Sequence, residues 1–268
     1  TLHQMTKEMT EIETDEKQKR HLSVPSSPNE FRQVATSFNQ LLDTQRNAIK
    51  RESQFVADAS HELRTPLTAI RGHVQLIKRR GSQHPEVIGS SIDFIDKESK
   101  RLEVLTNQLL ALGRPTMDKP LSLISLSKVI QQTAEEFRRT CKQEVTLSIE
   151  PEIQMHVDEL EIQQVCQNLF ENAAKYSHVS DTITITLTKI ADKIRLSVAD
   201  TGSGIPDDRK EQIFERFYRI DRSRSSQVEG SGIGLSIVQS IVEKYHGTIR
   251  VLDNQPTGSI FQIDFPLK

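Results

Sequence analysis

The sequence has 268 residues, enough for two domains or one large one; 35% are hydrophobic, 27% are charged and none is tryptophan, a balance that suits long solvated helices. A net charge of -2 gives no electrostatic case for nucleic acid or an acidic membrane surface as partner. Cys141 and Cys166 are too few for a disulfide framework and point to a reducing compartment, and no apolar run approaches the ~18 residues that span a bilayer.

The chain opens in mid-pattern and without a signal peptide, as a piece cut from a longer protein would. "LHQMTKEMTEI" has the apolar spacing of a short helix, and "HLSVPSSP" reads as extended. "EFRQVATSFNQLL" then resumes a helix that runs into a strict seven-residue register: Leu42, Ile49, Val56, Leu63, Ile70 and Ile77, widened by Phe38, Ala59, Leu67 and Val74. "RRGSQHPE", residues 79–86, breaks the pattern with glycine and proline. A second register follows at Ile88, Ile95, Leu102 and Leu109, flanked by Ile92, Leu105 and Leu112. Two helices cannot cover such stripes by themselves, so the expectation is an all-α hairpin that pairs with a second copy as a dimeric four-helix bundle.

"GRPTMDKP", residues 113–120, is a turn-rich linker. Beyond it, "EVTLSIE", "DTITITLTKI" and "KIRLSVAD" alternate as strands. "VDELEIQQVCQNLFENAAKYS" between them is helical, with Leu160, Val165, Leu169 and Ala173 near one face. "GLSIVQSIVEKYHG" is a further helix closed by Gly247, and "TIRVLDN" and "SIFQIDFPL" are the last strands. Hairpin-like strand pairs mixed with helices predict an α+β sandwich.

Four stretches carry chemistry. In "SHELRTPLTAIRGH" a helix-breaking Pro66 follows His61 by five residues. With Val56 in the apolar stripe, His61 falls about 140° away at ~100° per residue, on the solvent side, with Thr65 nearly in line. Glu62 can take a proton from one imidazole nitrogen while the other attacks an electrophile; the plain alternative is a surface histidine beside a tolerated kink. In "FENAAKYS" and the residues before it, Asn168, Asn172 and Lys175 share a helix side. Amide oxygens there suit Mg²⁺ and the lysine suits a phosphate, or the face is merely polar. "DTGSGIP" follows a strand: Asp200 can accept from an exocyclic amine, or the segment is a glycine turn with a solvated carboxylate. "GSGIGLSIV" opens a helix whose free N–H groups bind phosphate well, although it is neither a Walker A loop nor a Rossmann fingerprint.

In order and spacing, "SHELRTPL", "NLFENAAKYS", "DTGSGIP", "FERFYRID" and "GSGIGLSIV" resemble the H, N, G1, F and G2 boxes of two-component sensor histidine kinases, over residues 55–268. The first fifth resembles a HAMP signalling linker. The resemblance implies three parts: residues 1–50 as the linker, 51–114 as the dimerisation and phosphotransfer hairpin, and 119–268 as a Bergerat-type ATP-binding domain. It implies His61 as phosphoacceptor, Glu62 as general base and Thr65 as the residue that positions a water in phosphatase chemistry. It implies ATP and Mg²⁺, with Asn172 as metal ligand assisted by Asn168, Lys175 near phosphate and Tyr176 near the nucleoside. Asp200 would hold the adenine amine, with Gly202 and Gly204 shaping the base pocket. Gly230, Gly232 and Gly234, with Leu235 beside them, would border the triphosphate. Residues 206–231 would form a lid packed by Phe214 and Phe217, from which Arg216 or Arg219 reaches phosphate. The expected partners are a second copy and a response regulator, with no nucleic acid, and the expected location is the cytoplasmic side of a cell membrane that anchors the full-length protein. Another Bergerat-fold ATPase and a non-catalytic dimeric scaffold are the alternatives.

Overall fold

The computed structural model describes residues 6–8, 21–24, 29–113, 121–220 and 231–267. The chain divides into two compact units, Thr1–Thr65 and Pro66–Lys268. The division falls inside one helix, α1 (Asn29–Arg80), which contains Pro66 and continues through it. Of the expected linker at 113–120, Gly113 ends the second hairpin helix and the rest lies outside the described residues, as do most of "LHQMTKEMTEI" and the second half of "HLSVPSSP".

In the first unit the irregular segment at 21–24 lies against α1. Leu22 and Ala35 are buried together, with Phe31, Phe38 and Leu42 packed around them. Asn39 holds the segment as a strand neighbour would: its Oδ1 accepts from the Leu22 N–H at 2.8 Å and its Nδ2 donates to the Leu22 carbonyl at 2.9 Å. That satisfies both backbone groups of a buried residue.

In the second unit, α1 turns at Gly81 and returns as α2 (Glu86–Gly113). His73 stacks on Phe94 with ring centroids 4.1 Å apart, and its Nδ1 lies 3.2 Å from the hydroxyl of the buried Ser91. The α/β part follows: β1 (Ser122–Ser125), α3 (Leu126–Thr140), β2 (Glu144–Ile149), β3 (Gln154–Val157), α4 (Glu159–Lys175), β4 (Thr182–Ile190), β5 (Lys193–Asp200), α5 (Gly234–Lys244), β6 (Thr248–Asp253) and β7 (Ser259–Pro266). β1 and β3 pair as a small antiparallel ribbon. The main sheet has the order β2-β4-β5-β7-β6, parallel only between β2 and β4.

Alternation decides which face of the sheet is covered. Ile194, Leu196, Val198 and Asp200 of β5 are buried, whereas Arg195 and Ser197 between them are half exposed. The buried face receives Val129, Ile130 and Ala134 of α3, Leu169, Phe170 and Ala173 of α4, and Ile237, Val238 and Val242 of α5, giving a two-layer sandwich. α4 begins at Asp158, whose side chain accepts from the Leu160 N–H at 2.9 Å. It stays in register with α5 through the Tyr245 hydroxyl, which donates to Glu161 and accepts from the Asp158 N–H at 2.9 Å. Among the described residues no helix is long and apolar enough to cross a membrane.

Candidate active site

His61 lies on α1 in the first unit and is exposed, as the helical register requires. Glu62 beside it is half-buried. The Thr65 hydroxyl, one turn on, donates to the His61 carbonyl at 3.2 Å, and Pro66 is buried. That bond fixes the Thr65 rotamer and leaves the oxygen's lone pairs facing solvent. The imidazole is thus accessible to solvent, next in sequence to a carboxylate.

The second unit holds a cavity of about 550 Å³. It gathers Asn168, Asn172, Lys175 and Tyr176 from α4, Asp200 and Gly204 from the end of β5 and its loop, Arg219, and Gly232, Gly234 and Leu235 from the start of α5. Of the other residues expected here, Gly202 packs behind the lining: a Cβ there would meet the Tyr176 carbonyl at 2.2 Å. Arg216 is exposed and outside the lining, and Gly230 lies outside the described residues. The expected loop at 206–231 starts with two short 3₁₀ turns, Asp207–Arg209 and Gln212–Phe214. Lys210 fastens it by bridging Asp207 at 2.6 Å and Asp253 at 2.7 Å. Phe217 is buried and Phe214 half-buried, and the Phe217 N–H donates to the Gly232 carbonyl at 2.9 Å. Gly232, at φ +72, has no room for a side chain, because a Cβ would sit 2.8 Å from the Phe217 backbone.

The cavity lining carries charges of both signs. Asp200 is 4% exposed; its Oδ1 accepts from the Gly202 N–H at 3.0 Å and the Ser259 N–H at 3.2 Å. Among the described residues Oδ2 receives no hydrogen bond and is left to meet a donor. Burial raises the Asp200 carboxyl above the usual range, opposed by those two N–H groups and reinforced by Asp181. The Ser177 hydroxyl nearby is buried and has no partner among the described residues, and it lines the same cavity. Such a group calls for a polar partner that the described side chains do not supply. Lys175 and Arg219 line the same cavity. Lys175 Nζ stands 5.0 Å from the Tyr176 ring centroid. Burial raises the Tyr176 hydroxyl's pKa, and the charge of Arg219 opposes that rise. Asn168 Nδ2 is spent on the Gln164 carbonyl at 2.9 Å, and its Oδ1 lies against Gly234. A ligand that carries both a hydrogen-bond donor and anionic groups fits this set of side chains.

Sequence reasoning missed several lining residues. Glu171, beside Asn172, adds a carboxylate whose pKa burial raises and Lys175 opposes. Ser177 stands in the quoted "FENAAKYS" but was not assigned a role. Gln143 lies outside the lining and clamps the end of α4, donating to the carbonyls of Ala174 at 2.9 Å and Ser177 at 3.1 Å. Gln108 of α2 and Phe261 of β7 reach the cavity from distant parts of the chain.

Residues 51–117 match the family model described as the His Kinase A (phospho-acceptor) domain, and residues 157–268 match the histidine kinase-, DNA gyrase B- and HSP90-like ATPase model. The chain is 33% identical over 260 residues to the sensor histidine kinase YkoH of Bacillus subtilis (strain 168), covering 96% of this chain and 57% of YkoH. It thus spans less than two thirds of that relative. A solved structure of the mycobacterial sensor histidine kinase MprB is 31% identical, with 54% of this chain and 97% of that one covered at a TM-score of 0.50. Histidine kinase ThkA, solved in complex with the response regulator protein TrrA, is 26% identical, covering 83% of this chain and 64% of that one at a TM-score of 0.67.

Proposed function

Because this chain belongs to the sensor histidine kinase family, we propose that it transfers the γ-phosphoryl group of ATP to His61 and passes it on to an aspartate of a response regulator. The observation that carries this reading is the make-up of the cavity: a buried carboxyl, Asp200, lines it together with the cations Lys175 and Arg219 and the glycines at the start of α5. Asp200 Oδ2 accepts from the adenine amine, and the orphaned Ser177 hydroxyl finds a polar partner on the base. Tyr176 flanks the nucleoside. Lys175 and Arg219 face the phosphates, and the start of α5 at Gly232–Gly234 offers backbone N–H groups to them. Asn172 and Asn168 would hold Mg²⁺ by their amide oxygens, and the ion would neutralise phosphate charge. One imidazole nitrogen of His61 attacks the γ-phosphorus and the bond to the β–γ bridging oxygen breaks, releasing ADP. Glu62 takes the proton from the other nitrogen.

Phosphatase activity toward the same regulator belongs to this proposal, with Thr65 orienting the water. So do the division into a HAMP-like linker (1–50), a hairpin (51–114) and a catalytic domain (119–268), the homodimer, and anchorage of the whole protein at the cell membrane with these residues on its cytoplasmic side. ThkA's structure with TrrA supports a response regulator as partner. The experiment is phosphotransfer profiling: the chain is charged with γ-³²P-labelled ATP and Mg²⁺ and offered a panel of response regulators. Rapid, preferential loss of label to the aspartate of one regulator is expected. A charged chain that passes label to none contradicts the transfer step.

A further inference from the structure

Gln108 belongs to the hairpin helix α2, yet its side chain lines the same cavity as Asn172, Lys175 and Asp200. Both α2 and the cavity lie in the second compact unit, where α2 and α5 touch. The Ser231 hydroxyl donates to Gln108 Oε1 at 2.7 Å and accepts from the Ile233 N–H at 3.2 Å. A serine hydroxyl has one proton. In this structure that proton is committed to Gln108, and one N–H at the start of α5 is committed to the serine oxygen. Both are donors that an anion at this helix start would use.

We propose that Gln108 is a positioning residue that the hairpin contributes to the nucleotide site: its carbonyl competes with the ligand's phosphate oxygens for the Ser231 hydroxyl. The proposal rests on the nucleotide reading of the cavity. A phosphate oxygen is the stronger acceptor because it is charged, so the exchange runs toward the ligand, at the cost of the bond to Gln108. The coupling is reciprocal: phosphate on Ser231 loosens α2 from α5, and α2 held against α5 weakens phosphate binding. Only the phosphate end of the ligand feels this competition. Among the described residues Asp200 and Ser177 have no bond to Gln108.

The test is titration of the chain and its variants with ATP and with adenosine, which lacks phosphates. Gln108→Ala should bind ATP about 3- to 10-fold tighter, the range of one exchanged hydrogen bond, with adenosine unchanged. Gln108→Glu keeps an acceptor but faces the phosphates with a charge; ATP should weaken about 10-fold or more while adenosine again stays unchanged. In a Ser231→Ala background, Gln108→Ala should no longer alter ATP affinity. ATP affinity indifferent to both Gln108 variants, or ATP and adenosine shifting in parallel, overturns the proposal. A wild-type chain that binds neither ligand overturns the nucleotide reading and the proposal with it, a result distinct from ATP binding that ignores position 108.

Discussion

Asp200 sets stability against use within one side chain. Burial holds its carboxyl above the usual range, so the folded chain keeps that proton to higher pH than the unfolded chain does. Stability is therefore lost as pH rises from the usual carboxylate range to the raised folded value, and the loss is complete above it. Asp200→Asn removes this cost while its side-chain oxygen can still accept from Gly202 and Ser259. Thermal melts should place the variant at or above wild type at neutral pH, with the gap closing toward acid pH, and ATP titration should show weakened binding. A variant that melts lower at neutral pH contradicts the buried-charge account. Thr65 poses a different question, because its hydroxyl donates to a backbone carbonyl and plays no part in activating the imidazole. Thr65→Ala should keep autophosphorylation within a few fold and slow decay of the phosphorylated regulator by at least ~10-fold, about 1.4 kcal/mol of barrier. Equal decay with variant and wild type makes Thr65 a surface residue only. Asn168, Asn172, Asp200 and the glycines near them were legible because each sits in a short motif whose local spacing sets its direction. Gln108 was not, since 123 residues separate it from Ser231. Nor was Gly258, at φ +117, where a Cβ would meet the Asp200 carbonyl at 2.0 Å; nothing local to "PTGSI" announces that neighbour.

The helices and long strands followed their periodicities: α1 through Pro66, α2, α4, α5 and β4 to β7 all lie where apolar spacing put them. The stretch from residue 121 to 143 carries no plain period in the sequence, and α3 is there. Its signals exist: Ser125 accepts from the Lys128 N–H, and Leu126, Val129, Ile130, Thr133 and Ala134 are buried at helical spacing. They were masked because β1 ends at Ser125 and α3 starts at Leu126, so a period of two passes into a period of 3.6 without a turn residue between. β1 and β3 have only four residues each, too few for alternation to show. The parallel pairing of β2 with β4 spans α4 and β3 and is set by packing rather than by a local turn. α4 and α5 are joined through Tyr245, 5% exposed, between Glu161 and the Asp158 N–H. Tyr245→Phe strands that N–H at the start of α4 and removes the donor to Glu161. It should cost about 1–3 kcal/mol, the penalty of an unsatisfied buried group, read as a lower denaturant midpoint at unchanged slope. An unchanged midpoint means that water or a side-chain shift replaces the hydroxyl.

For the molecule as a whole, the two heptad registers and the exposure of the helices make one argument. Val56, Leu67 and Ile92 are all more than half exposed in a single chain, although they belong to the stripes or flank them. Apolar surface of this kind on long helices is unstable in water, and a second copy covers it most simply. Light scattering at micromolar concentration should therefore give twice the chain mass, and a stable monomer contradicts the four-helix bundle. Fold and family were readable because motif order and helical period are properties of the sequence alone; the proposed dimer and the proposed coupling between hairpin and nucleotide would rest on surfaces that meet only after folding. The account as a whole depends on one covalent bond, between phosphorus and a nitrogen of His61. The direct measurement is incorporation of label from γ-³²P-labelled ATP with Mg²⁺ into wild type and His61→Ala, alongside ATP titration of both. The account predicts acid-labile, base-stable label in wild type, none in His61→Ala, and the same ATP affinity in each. Base-stable label that persists in His61→Ala, or a wild type that binds ATP and takes up none, contradicts it.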